Sequence, residues 1–283
     1  MVPVMLLDPT ASGAPTGACT IRGAAVVTAR LSEVTTLARQ PAPAGGPTIP
    51  PRFLRHADEQ TVVGLHAVLQ LVAAAGGEPT DLSRDAVIGA SCRAGQPTAA
   101  RTMVGLEQQG TVGVTPHVVP QCSLHSLASA VSVALGMHGP NIGVAGGPQA
   151  ASEGLLAAAT LAPTLPASAH LWLVVTGWDL QPELESDGTA GNDPTCRSLA
   201  VCLQPAEAHS HQPTTGPTLQ ITPGASPTCT PTETAELPLW ELCERLTQGR
   251  ETTLACGHGL QATLCPGENG FGLPAFTARR EAA

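Results

Sequence analysis

A chain of 283 residues with 42% hydrophobic residues and a mean hydropathy of +0.12 carries enough apolar material for one large core or two ordinary ones, which excludes intrinsic disorder. All 13 basic residues are arginine, against 22 acidic ones, and the net charge of −9 opposes general attraction to nucleic acid or to an anionic membrane. Lysine and tyrosine are absent and aromatics make up only 2%, so the core has to be assembled from Ala, Val and Leu.

The first 15 residues, MVPVMLLDPTASGAP, lack a basic region, and Asp8 and Pro9 break their apolar run early. No later run approaches the roughly 20 apolar residues of a membrane helix. A cytoplasmic protein without a membrane or nucleic-acid partner is expected. Residues 21–27, IRGAAVV, read as a buried strand, followed by a helical patch, LSEVTTLARQ, and a Pro/Gly-rich stretch. Val62, Leu65, Val68, Leu69 and Val72 recur at helical spacing, and Gly76 and Gly77 supply a stop. DAVIGAS at 85–91 predicts a strand, PTAARTMVGLEQQG a helix opened by Pro97, and SLHSLASAVSVALG a further helix. HLWLVVTGW at 170–178 predicts the strongest strand, and SLAVCLQP an antiparallel return after an acidic loop. The chain then turns Pro/Thr-rich, interrupted once by LQIT. A short amphipathic helix, LPLWELCERLTQG, and a hairpin from TTLACG and LQATLC close it.

Nine cysteines, an odd number without a C-x-x-C pair, predict reduced thiols rather than a disulfide framework. His209 and His211, and Cys256, His258 and Cys265, are the groupings with some look of metal ligands. Neither offers four spaced ligands, so no metal and no cofactor is expected.

Residues 138–160, HGPNIGVAGGPQAASEGLLAAAT, run from a strand through two glycines and a proline into an alanine-rich helix. The start of such a helix has unpaired N–H groups and a partial positive charge that stabilise an anion, and it is a common seat for a nucleophile. Here Pro148 stands there, with neither a nucleophilic atom nor an N–H.

The run from Asp85 to Gly147, above all ALGMHGPNIGV, resembles the first half of a β-ketoacyl synthase of the thiolase superfamily, and the likeness extends over roughly residues 20–206. It implies an α/β thiolase-like half-fold: a mixed five-stranded sheet, mostly parallel with the last strand antiparallel, and helices on both faces. The implied layout is an N-terminal extension (1–20), a ketosynthase N-terminal-like domain (21–206), a Pro/Thr-rich linker (207–235) and a short C-terminal helix and hairpin (236–283). In that family a cysteine opens the helix after the Gly-Pro-Asn strand and becomes the acyl-accepting thiolate. Counted from Gly139, Pro140 and Asn141, that register falls on Pro148, or on Gln149 after a one-residue insertion. Chain-length-factor subunits and certain decarboxylating relatives carry glutamine at this position.

Neither register supplies a thiol. Cys92 and Cys122 lie on other segments and read as packing residues, and Ser152 falls a turn too far into the helix. Gly257 and His258 in ACGHGLQA look only superficially like the family's Gly-His loop. The resemblance therefore implies a non-catalytic protein of fatty-acid or polyketide-type biosynthesis that pairs with an active ketosynthase or with itself. A half-fold leaves a sheet face and the nucleophile helix uncovered, unless residues 236–265 fold back over them and leave a monomer. The alternative is an acyltransferase or decarboxylase using Gln149 or His258. A third reading is a docking module for an acidic acyl carrier protein, through Arg52 and Arg55.

Overall fold

The computed structural model describes residues 17–50, 52–75, 81–144, 146–205, 216–223, 239–256, 260–267 and 270–271. The strands are β1 (Gly17–Arg30), β2 (Ala86–Ser91), β3 (Asn141–Val144), β4 (Leu171–Trp178), β5 (Thr195–Pro205), β6 (Thr218–Pro223), β7 (Thr252–Ala255) and β8 (Leu260–Cys265). The helices are α1 (Val34–Leu37), α2 (Glu59–Ala74), α3 (Gln96–Gln109), α4 (Val118–Gln121), α5 (Ser126–Leu135), α6 (Ala150–Leu161) and α7 (Leu239–Thr247). None of the described helices is long and apolar enough to cross a membrane.

All eight strands share one sheet in the order β3-β2-β4-β5-β1-β6-β8-β7. β2 lies parallel to β3 and β4, and helices make these crossovers, as parallel strands require. The other ladders are antiparallel. β2 and β4 carry near-continuous apolar runs because helices cover them on both faces.

The expected sheet of five strands is thus corrected to eight. β3, β2, β4, β5 and β1 form the expected set, and within it β5 alone runs against the other four. The additional three come from the C-terminal part of the chain, so the whole sheet is not mostly parallel. β1 continues past the end of β5, and its first residues, Gly17–Thr20, take β6 as their partner. β6 falls inside the stretch that reads as a linker. Its LQIT run is too short and too closely flanked by proline to announce a strand, yet Leu219 and Ile221 are buried in the core.

Two apolar layers sandwich the sheet. α2 and α5 pack on one face, with Val63, Leu65, Val68, Leu127 and Val131 against Val87, Val174 and Ala200. α2 is capped by Asp58, whose carboxylate accepts the Gln60 and Thr61 N–H groups at 3.0 and 3.1 Å. On the other face, Ala151, Leu155 and Ala158 of α6 share a cluster with Leu242, Cys243 and Leu246 of α7 and with Leu219, Leu254 and Leu264 of the added strands. The C-terminal segment therefore folds back over the α6 face, and the uncovered face expected of a half-fold is filled. Exposed large apolar side chains concentrate elsewhere. Met103, Leu106, Val112, Val119, Leu124, Val133 and Ile142 all belong to the stretch of chain from α3 to the edge strand β3.

Candidate functional site

The turn from β3 into α6 has the shape anticipated for residues 138–160. Gly146 takes φ +135°, which L side chains rarely adopt, and its carbonyl accepts the Arg93 N–H at 3.0 Å. Pro148 follows within the turn, and Gln149 is the N-cap of α6 with no side-chain capping bond. The Gln149 carbonyl accepts the Glu153 N–H and the Ser152 hydroxyl, each at 3.0 Å. Ser152 is buried with its hydroxyl folded back on the first turn of its own helix, so it presents no nucleophile.

Pro148, Ala150 and Ala151 form part of the wall of a cleft of ≈ 290 Å³ at the C-terminal ends of β2 and β4. Cys92 and Arg93 line it from the turn after β2, residues 175–178 from β4, Asp179 and Gln181 from the loop after it, and Leu239 and Trp240 from α7. Gln149 is exposed and does not contribute to the lining. His258 lies outside the described residues, as do His209 and His211.

Most polar groups around this cleft are committed to holding its walls. Arg93 is the one non-glycine residue with positive φ among those described, at +56°. Its guanidinium donates to the Gln181 Oε1, tying the turn after β2 to the loop after β4. Gln60, buried at the start of α2, donates to the Cys92 and Arg93 carbonyls at 2.7 and 3.3 Å, and its Oε1 accepts from the Thr176 hydroxyl at 2.7 Å. The Asp179 carboxylate accepts the Leu180 and Thr195 N–H groups, both at 2.7 Å. Cys92, a residue that reads from sequence as packing, also lines the cleft. Burial pushes the Cys19 and Cys256 thiols up to about 11 and those of Cys202 and Cys243 up to about 12. It also raises Cys122, Cys196 and Cys265, with nearby carboxylates adding to the effect.

Arg52 and Arg55 are exposed in the turn before α2. Arg55 opens onto a groove of ≈ 730 Å³ that also takes Arg39 and Arg101, the latter paired with Glu59 at 2.6 Å. α3 joins the groove to the cleft, since Thr98 and Arg101 line the first and the turn leading into α3 lines the second. Arg39 and Arg101 escape a sequence reading because they are 62 residues apart along the chain and only tertiary packing brings them together. Arg93 gives a weak local signal, standing two residues before Gly95 at a strand-to-helix turn. No group of three or more His, Cys, Asp or Glu able to hold a metal ion occurs among the described residues.

Residues 27–162 match the sequence model of the family described as β-ketoacyl synthase, N-terminal domain. Curated protein sequences give no match. Among solved structures, a ketosynthase in complex with its chain length factor from Xenorhabdus doucetiae aligns at 12% identity and a TM-score of 0.55, covering 87% of this chain and 98% of that one. The ishigamide ketosynthase/chain length factor aligns at 18% identity and a TM-score of 0.46, over 73% of this chain and 67% of that chain. A β-ketoacyl synthase from Burkholderia phymatum STM815 aligns at 14% and 0.46, over 67% of this chain and 59% of that chain. The likeness of fold rests on the first of these. With the order of its strands and helices and the strand-turn-helix at 141–161 in agreement with that match, the region 27–162 is similar to the β-ketoacyl synthase N-terminal domain.

Proposed function

We propose that this chain is a non-catalytic β-ketoacyl synthase-like subunit of fatty-acid or polyketide-type biosynthesis, cytoplasmic, that pairs with an active ketosynthase. The observation that carries the reading is Pro148. Counted from Gly139-Pro140-Asn141, it falls where the family's acyl-accepting cysteine opens the helix, and it brings neither a thiol nor an N–H. Two further features support pairing. The structure that aligns over most of both chains comes from a ketosynthase complexed with its chain length factor. Ile142 is exposed on β3, which ends the sheet on that side, and the exposed Leu124 lies against Gly143 of the same strand. Arg52 and Arg55, joined on the same surface by Arg39 and Arg101, offer positive charge to an acidic acyl carrier protein.

Activity through Gln149 has less support, because its side chain is outside the cleft lining. A thiol route through Cys92 would leave an acyl adduct. The test is co-expression with candidate ketosynthases, followed by purification on a tag carried by the partner and intact-mass analysis. Stoichiometric recovery without an acyl adduct is expected, and Ile142→Arg at the edge strand is expected to lower recovery at least about tenfold, since a buried unpaired charge costs several kcal/mol. Recovery as a lone monomer with every partner, or a stable adduct on Cys92, would overturn the proposal.

A further inference from the structure

A second cavity lies at the other end of the sheet, on the other face from the Pro148 cleft. It is a trough of ≈ 580 Å³, within the size range of small-molecule sites. β4 connects the two. Its last residues line the cleft, while His170, just ahead of the strand, and Trp172, on the α2/α5 face, line the trough. Three steps along the strand, from Trp172 to Val175, separate the nearest lining residues of the two by about 10 Å. The apolar walls come from Leu71 and Val72 of α2, Leu82, Leu135 of α5, and Trp172.

Three features make this more than a surface depression. The first is a bulge. β1 pairs with β5 from Cys19 to Arg30, and its register shifts once, between Ile21 and Gly23, where Cys202 pairs with Gly23 and Arg22 has no partner. Ile21 and Ala24 both point to the α6 face, so the extra residue puts Arg22 and Gly23 together on the trough side, opposite Cys202. The second is Gly23 itself, buried in the floor. A Cβ there would stand 2.9 Å from the Leu71 Cδ1, so the absent side chain is what lets Leu71 pack against the strand in the trough wall. The third is a rigid wall. Asp85, 1% exposed, accepts the Trp172 indole N–H at 2.8 Å and the His170 backbone N–H at 2.9 Å, and its Oδ2 lies 3.4 Å from the His170 Nδ1. Both rings at the trough are therefore positioned by one buried carboxylate.

From these features we infer that the trough binds an aliphatic carboxylic acid of medium chain length, its chain along Leu71, Val72, Leu135 and Trp172 and its carboxylate at the Arg22 guanidinium. The Arg22 Nε is engaged by the Gln204 Oε1, which orients the fork and leaves the two Nη groups for a carboxylate. A single guanidinium beside an apolar wall, on a chain of net charge −9, selects a monoanion with a tail over a polyanion. The site is independent of the Pro148 cleft and of pairing.

The test titrates the full chain with sodium decanoate at submicellar concentration, by calorimetry and tryptophan fluorescence, with decylamine and acetate as the charge-reversed and tail-less probes. Decanoate is expected to bind with one-to-one stoichiometry and to change the emission of the native chain but not of Trp172→Phe. Decylamine and acetate are expected to be at least about tenfold weaker, as is decanoate on Arg22→Gln, in line with loss of one charge-assisted bond. Leu135→Trp, which fills the trough, should abolish binding. Equal affinity for decylamine, a stoichiometry well above one, or undiminished binding by Arg22→Gln would overturn the inference. If Arg22→Gln does not fold, the decanoate-against-decylamine comparison on the native chain decides.

Discussion

At the scale of single residues, Asp58 at the N-cap of α2 and His66 within α2 are both buried, and burial shifts them with opposite pH consequences. Desolvation raises the Asp58 carboxyl against the lowering effect of its bonds from Thr61 and Ser126. A raised carboxyl gives stability that is complete below its ordinary value of 3.8 and lost as pH rises through the folded value. His66, 4% exposed, is lowered from 6.5 first by desolvation, and its Nε2 is buried without a hydrogen-bond partner. Its folded value lies below the unfolded one, so the stability it confers is complete above pH 6.5 and lost as pH falls through that window. Global stability is therefore predicted to decline from pH 6.5 toward 5 with a slope of up to about 1.4 kcal/mol per pH unit from this one group. His66→Leu should flatten that slope, as measured by urea unfolding at several pH values. An unchanged slope would show that His66 is not the titrating group.

At the scale of elements, tight glycine contacts fix how α5 and the turn before it lie on the sheet. A Cβ on Gly89 of β2 would meet the Ala128 N at 2.9 Å, and one on Gly143 of β3 would meet the Leu124 carbonyl oxygen at 2.3 Å. Backbone cannot yield as a side-chain tip does. Gly143→Ala is therefore predicted to cost about 1–3 kcal/mol in urea unfolding and to displace the edge strand. On the proposed pairing with a ketosynthase, the same variant should also pair less well, and a variant as stable as the native chain would contradict the contact. These elements were the legible ones. β2, β4 and α2 announce themselves because an element buried on both sides needs an unbroken apolar run or a full helical stripe. The strand-turn-helix around Pro148 was legible because such a unit is local. β6 was not, since the partners that make LQIT a strand, Gly17–Thr20 and β8, lie far away in the chain. The Arg22 bulge was equally hidden, because a register shift exists only between two strands and leaves no mark on either one alone.

At the scale of the whole molecule, the C-terminal segment is built into the same core as the ketosynthase-like region. Leu242, Leu219 and Leu264 share a cluster with Leu155 and Leu173, and β6 is hydrogen-bonded directly to β1. A segment sharing both an apolar cluster and a ladder with the main sheet cannot leave without exposing the α6 face, so the chain should unfold as one cooperative unit. Trp240, 43% exposed at the start of α7, reports on that docking without being part of the core. The Trp240-dependent emission, obtained as the difference between the native chain and Trp240→Phe, is predicted to change at the same urea concentration as the far-ultraviolet dichroism of the whole sheet. Leu242→Ala, which empties a fully buried side chain, should lower both midpoints together, by about 2–5 kcal/mol in stability. A Trp240 transition at lower urea than the dichroism would mean that α7 detaches first. The α6 face would then be available to a partner after all, and pairing would have two candidate surfaces instead of the β3 edge alone.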